Sequence, residues 1–396
     1  MPAIESVRIE RVKLKDLQAL AASAVDGAAP GTFIPITKHR ALAMTHNPFA
    51  QPDEVALLLA KEGERNVGYF GVMPVMLLHE GKLHKVHWLT TWAVAPEFLG
   101  KGLGSFLMED ALALDVDLAI VGSKPARRVS TKYGFHEIKP LDYVQLDFGV
   151  AGRFNLLSLF LQLSRKLFSL FHLPLPIEPL DRAFEKFFEA IFGPLVRPLI
   201  YRWVGRKMES ELQGLGIKAV EQVQSPKDEE PDGVRTGFYR DSRVVNWMLA
   251  YPWVMPAGQS DSEQLDYGFT DARAGFKISA WQIYSTDGKN LGYICFLSSR
   301  LRGRTVVKVL DAVFAGSAKY SRLLALALRF AHQERAGMIE GPAELAQPLG
   351  GSLMGRLLVL RRHRTCQVHP RSTDSPMAQA WQDIEQTYYD GDMAFT

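Results

Sequence analysis

Trp92-Ala-Val-Ala-Pro-Glu-Phe-Leu-Gly-Lys-Gly-Leu-Gly-Ser-Phe-Leu-Met108 decides how this chain reads. An apolar strand end runs into a turn built on Gly100, Gly102 and Gly104, and the turn opens an amphipathic helix over 103–114. Glycines there allow backbone angles and close approaches that a side chain blocks. The first amides of a helix have no carbonyl to bond within it, and its dipole favours negative charge at that end. Together these make a seat for a pyrophosphate. Taken alone, the turn reads equally well as a purely structural one.

Working outward, residues 5–13, 55–60, 67–78 and 83–94 read as strands, 15–24 as a short helix and 117–121 as a short buried strand. Thr45-His46-Asn47-Pro48-Phe49 reads as a proline turn. Along the strand entering the glycine turn, simple alternation puts Trp88, Thr90 and Trp92 on one face and His87, Thr91 and Ala93 on the other.

The quoted stretch resembles motif A of the GNAT superfamily of N-acetyltransferases, with Val94, Pro96, Gly102 and Gly104 in matching positions. Ser130-Thr-Lys-Tyr-Gly-Phe135 resembles the same superfamily's motif B. The resemblance covers roughly residues 5–148. It implies acetyl-CoA or another acyl-CoA as co-substrate, with the pyrophosphate on the amides of Leu99, Gly100, Lys101, Gly102, Leu103, Gly104 and Ser105. It also implies a pantetheine arm paired to the strand edge at Trp92, Ala93 and Val94, and a thioester in a V-shaped gap beside the strand at 117–121. Two positions depart from the pattern: Leu99 stands in the Arg/Gln slot of motif A, and Ser130 in the tyrosine slot of motif B. The proton donor toward the departing thiolate is then Ser130 or its neighbour Tyr133. An ammonium acceptor must also lose a proton. His84, His87 and Glu80 are the candidates, and His87 has the best-matched ordinary pKa.

The implied fold class is α/β (α+β): two GNAT-like mixed-sheet domains joined by a proline-containing, aromatic-rich helical segment. The boundaries read 1–150 for the acyl-CoA-binding domain, 151–224 for the helical insert and 225–396 for a second, degenerate GNAT-like domain. In the last, strands are expected at 275–284, 291–298 and 304–310, with a helix at 317–334. Val313-Phe-Ala-Gly-Ser-Ala-Lys319 has one glycine, so that half is not expected to bind CoA. Tyr239 to Pro252 resembles a segment of tandem GNAT-like acyltransferases from bacterial polysaccharide gene neighbourhoods. That makes Arg240 and Trp247, with Asn47 from the proline turn, the candidate acceptor-binding residues, and an amino sugar or nucleotide-linked amino sugar the expected acceptor.

Composition narrows the rest. A chain of 396 residues exceeds what one core usually fills. A net charge of +3 gives no argument for nucleic acid, and no metal site is expected because Cys295 and Cys366 lie far apart with no ligand spacing around them. Neither a signal peptide nor a spanning segment is legible, so the expected location is cytoplasmic. Residues 153–207 interleave aromatic and basic side chains between prolines. Such a segment packs between two globular halves, makes a homodimer contact, or docks peripherally at the inner face of a membrane. The alternatives to an amino-sugar enzyme are an acyltransferase working at the membrane surface and a non-catalytic CoA- or partner-binding module.

Overall fold

The computed structural model describes residues 6–148, 209–226, 236–301, 303–314, 319–352 and 358–388, with Arg202, Arg206, Gly355 and Asp390. The expectations for residues 153–207 and for residues 315–318 lie outside them, Arg202 and Arg206 apart. Among the described residues no helix is long and apolar enough to cross a membrane.

The chain forms two compact units, one of Met1–Leu141, Lys218–Gln282 and His363–Thr396, the other of Asp142–Ile217 and Ile283–Arg362. In the first, the element order is β1 (Val7–Lys13), α1 (Leu17–Val25), α2 (Lys38–Thr45), β2 (Val55–Glu62), β3 (Arg65–His79), β4 (Lys82–Val94), α3 (Leu103–Leu112), β5 (Leu118–Ile120), α4 (Lys124–Lys132) and β6 (His136–Glu137). The sheet runs β1-β2-β3-β4-β5, then the strand Gln367–His369, then β6. β1 to β4 pair antiparallel. β4 and β5 pair parallel. The strand from the end of the chain is antiparallel to both its neighbours.

Each strand has a reason in its side chains. β2 carries Ala56 to Ala60 as a continuous buried run, as a central strand covered on both faces should. α3 lays Leu103, Leu107, Met108 and Ala111 on Phe70, Val72 and Leu89, and that cluster is the core of the unit. α2 is capped by the Thr37 hydroxyl, which accepts from the Arg40 amide.

The second unit is also a mixed sheet. Leu141–Asp147 pairs antiparallel with Met338–Pro342, which is parallel to Arg304–Phe314, itself antiparallel to Asn290–Leu301. The helix Lys319–Gln333 covers it, with Phe330 stacked on Phe296 at 4.4 Å. The fold class is therefore α/β with two mixed sheets.

Candidate functional site

The pairing of β4 with β5 stops early. His87, Trp88 and Leu89 face Leu118, Ala119 and Ile120, and β5 ends there. β4 runs on to Val94, held on its other side by β3, where Ala93 faces Tyr69 and Val94 faces Gly68. Among the described residues no strand covers the β5-side edge of Trp92, Ala93 and Val94. A gap therefore opens between the two strands from Thr90 onward.

A β-bulge sets its position. Between Gly71↔Thr90 and Tyr69↔Ala93, β4 has two residues where β3 has one. Thr91 takes φ of 49°, left-handed for a β-branched residue. Gly71 makes room: a Cβ there would lie 2.6 Å from Thr91 Oγ1 and 3.0 Å from the Thr90 carbonyl oxygen. The bulge also corrects the alternation expected from sequence. Trp92 stacks on Phe70 at 4.7 Å, in the α3 core with Leu89, while Trp88 lies edge-on to Phe238. The extra residue turns Trp92 onto the face opposite Trp88.

At the end of β4 the chain passes through Leu99, which is 65% exposed, and reaches Gly102, with φ of 91°, at the N-cap of α3. Gly100 is also left-handed, at 73°. The first amide bonded within the helix is Phe106, which donates to the Gly102 carbonyl. The amides of Leu103, Gly104 and Ser105 precede it and have no carbonyl of the helix to reach. No side chain caps this end and its first turn has no acid. The Lys101 ammonium lies 5.6 Å from the centre of the Phe98 ring. Gap, exposed strand edge and uncapped helix start form one continuous run of backbone, and its chemistry suits a ligand with an anionic middle and an extended arm.

The opposite face of β4 is closed at this point by residues 266–270. The Gly268 amide donates to Tyr69 Oη, and its Cα lies so close to Ala93 that a Cβ would meet the Ala93 methyl at 2.9 Å. Beneath that loop Arg40 is 2% exposed, and its guanidinium lies within 5.1 Å of the ring centres of Trp253 and Tyr267 and 5.9 Å of Phe269. Its Nη2 donates to the Thr270 carbonyl at 3.0 Å. Such a desolvated stack contributes about 2 kcal/mol. Burial pushes the Tyr267 and Tyr69 hydroxyls upward, so both stay protonated. The sequence signals for this cage are scattered over 230 positions, from Arg40 to Thr270, and local pattern reading does not collect them.

The sequence-derived catalytic residues are not brought together. His87 lies in the β4–β5 ladder, its amide bonded to the Asp117 carbonyl, roughly 13 Å before Thr91 at about 3.3 Å per residue. Burial is the main cause holding its imidazole below the ordinary 6.5; Glu54 and Asp117 act upward and Lys85 downward. His84 and Glu80 are farther from the bulge, toward the β3–β4 turn. Ser130 is fully buried, donates to Gln367 Oε1 at 2.6 Å, and leans on the Ala126 and Arg127 carbonyls. Tyr133 donates to Glu109 Oε1 at 2.6 Å on α3, and that carboxylate pushes its pKa upward. Tyr133 therefore belongs to the helix-start end of the run, near Ser105.

The acceptor candidates do converge. Asn47, Arg240 and Trp247 line one cavity with Trp88, Phe238 and Asp390. Asn47 is buried, with Nδ2 donating to the Pro74 carbonyl and Oδ1 accepting from the Phe49 amide. The Trp247 indole donates to the Ala43 carbonyl at 2.7 Å. The cavity is about 30 Å³, room for one or two waters. A larger cleft of about 730 Å³ borders Ala95, Pro96 and Glu97 against the α1–α2 loop. Among the described residues no group of three or more His, Cys, Asp or Glu could hold a metal ion.

Two expected results follow from these placements. Ser130→Ala strands the Gln367 carbonyl oxygen in the interior and should lower stability by about 1–3 kcal/mol, read as a fall in melting temperature. A large loss of turnover at unchanged melting temperature would instead make Ser130 part of the chemistry. His87 is kept neutral in the fold, whereas the unfolded chain takes up a proton near 6.5. Its contribution is complete above that pH and is lost as pH falls. His87→Gln should flatten the decline in melting temperature between about pH 7 and pH 5. His39 and His369, held low for the same reason, leave a residual slope.

Residues 28–135 match the model of the acetyltransferase (GNAT) family. Among solved structures, the chain is similar to a GCN5-related N-acetyltransferase from Anabaena variabilis, at 9% identity over 93% of this chain and 73% of that one, with a TM-score of 0.47. A GCN5-related N-acetyltransferase from Kribbella flavida gives 12% identity over 95% and 73%, with a TM-score of 0.47. Eis1 from Mycobacterium abscessus gives 11% identity over 91% and 72%, with a TM-score of 0.41. No curated protein matches.

Proposed function

We propose, from the match of residues 28–135 to the acetyltransferase (GNAT) family model, that the protein moves an acyl group from acyl-CoA to the primary amine of an amino sugar or nucleotide-linked amino sugar. The observation that carries the donor half of this reading is the bulged end of β4 running uninterrupted into the uncapped start of α3. The pyrophosphate sits on the amides from Leu99 to Ser105, and the pantetheine arm lies along Trp92 to Val94 on the β5 side. The thioester then reaches the bulge.

There the amine nitrogen, having given up a proton, attacks the thioester carbonyl carbon. A nitrogen–carbon bond forms and the carbonyl oxygen becomes an oxyanion, which a backbone amide near Ala93 or Val94 stabilises. The nitrogen then gives up its second proton to solvent, collapse breaks the carbon–sulfur bond, and CoA leaves as a thiolate that takes up a proton from solvent. No residue among His87, Ser130 and Tyr133 is assigned the proton in this scheme. Asn47, Arg240 and Trp247 are the proposed acceptor-side residues; the cavity they share beside Trp88 holds one or two waters and not a sugar, so they would border the acceptor from its rim. The resemblance of Tyr239 to Pro252 to acyltransferases from polysaccharide neighbourhoods supports the sugar.

A second reading, a non-catalytic acyl-CoA-binding module, is favoured by Ser130, whose hydroxyl is spent on Gln367. Release of free thiol from acetyl-CoA, followed with a panel of amino sugars, alkylamines and amino acids, separates the two. Acceptor-dependent release fastest with amino sugars is expected. Release with other amines only would overturn the acceptor, and none with any amine would favour the module.

A further inference from the structure

α4 has a composition its packing does not require. It reads Lys-Pro-Ala-Arg-Arg-Val-Ser-Thr-Lys over Lys124–Lys132, four cations in nine residues and no acid. Lys124, Arg128 and Lys132 stand at i, i+4 and i+8, all exposed, forming one stripe about 12 Å long at about 1.5 Å per residue. Like charges at this spacing destabilise a helix. Arg127 lies 3.9 Å from Glu137, but among the described residues no carboxylate pairs with the three of the stripe. The inner face is occupied separately: Val129 and Tyr133 pack against the α3 core, and Ser130 faces Gln367.

Topology places the stripe beside the donor site. β4 and β5 are parallel neighbours, β4 leads into α3 and β5 into α4. Both helices therefore start at the same edge of the sheet, the edge where the gap opens. A molecule that lies in the gap with its pyrophosphate on the start of α3 emerges with α4 as its other wall. CoA has a further anionic group there, the 3′-phosphate of its adenosine, and a phosphomonoester carries about −1.5 to −2 charge at neutral pH. The glycine turn has little to offer it: Leu99 stands where a side-chain donor is expected, and Lys101 is held over Phe98.

We propose that Lys124, Arg128 and Lys132 on α4 recognise the 3′-phosphate of CoA and thereby select the phosphorylated donor over its dephosphorylated form. This rests on the donor-site reading above. The test is titration calorimetry of the full chain with CoA and with 3′-dephospho-CoA, on wild type and on the triple variant Lys124→Gln, Arg128→Gln, Lys132→Gln. All three side chains are exposed, and a melting curve checks that the variant folds. Wild type is expected to prefer CoA by about tenfold or more, the variant to bind both nucleotides equally, and the wild-type preference to shrink with added salt. A variant that keeps the wild-type preference, or a wild type with none, overturns the proposal while leaving the pyrophosphate seat intact. Binding of neither nucleotide by wild type overturns the donor-site reading and this proposal with it.

Discussion

Gly102→Glu is expected to weaken acyl-CoA binding by at least about a hundredfold, beyond ready detection in a calorimeter. Two effects add. Gly102 holds φ of 91°, and an L-residue in the left-handed region costs about 1–2 kcal/mol. The larger effect is electrostatic. The new carboxylate enters the cradle where the pyrophosphate should sit, and two charges 4 Å apart near a protein surface repel by about 4 kcal/mol. Gly102→Asn separates the effects, because asparagine tolerates the left-handed conformation and adds no charge. It should fold normally and lose much less affinity. If Glu and Asn weaken binding equally, the loss comes from the turn's shape and not from charge at the helix start.

The second large effect is expected at Gly71, which touches no phosphate. Gly71→Ala drives a Cβ to within 2.6 Å of Thr91 Oγ1, and the nearby Thr90 carbonyl leaves the bulge no easy way to yield. Overpacking of this kind costs about 1–3 kcal/mol. The bulge sets where β4 departs from β5, so turnover should fall at least about tenfold while the amide cradle, eleven residues beyond Thr91 at Gly102, is left intact. Gly351→Ala, with nothing within 4 Å of the added carbon, is the matched control and should stay within about 0.5 kcal/mol of wild type. Equal behaviour of the two alanine variants would mean the bulge is not what positions the thioester.

The strand, turn and helix from Trp92 to Met108 were legible because their signals are local: an apolar run, three glycines, then helical spacing. The bulge was not. Trp88, Thr90 and Trp92 look like an unbroken alternation, and only the backbone at Thr91 reveals the extra residue that turns Trp92 over. α4 escaped the periodicity argument because its inner face is small and partly polar, Ala126, Val129 and Ser130, and Pro125 resembles a breaker although it occupies the first turn. The role of Ser130 was unreadable for another reason. Its partner Gln367 lies 237 positions away, on a strand that completes the first sheet from the far end of the chain. Asn47 was half legible. The turn bond to Phe49 follows from its sequence, but the bond to Pro74 needs the fold.

The end of β4 and the start of α3 are proposed as one acyl-CoA site. Titration calorimetry of the wild-type chain with acetyl-CoA and with longer acyl-CoAs tests it most directly. One site per chain with micromolar affinity is expected, competed by free CoA and weakened by salt. Absence of heat and of competition with every acyl-CoA, from a chain that melts cooperatively, would contradict it and reduce Gly100 to Gly104 to a structural turn.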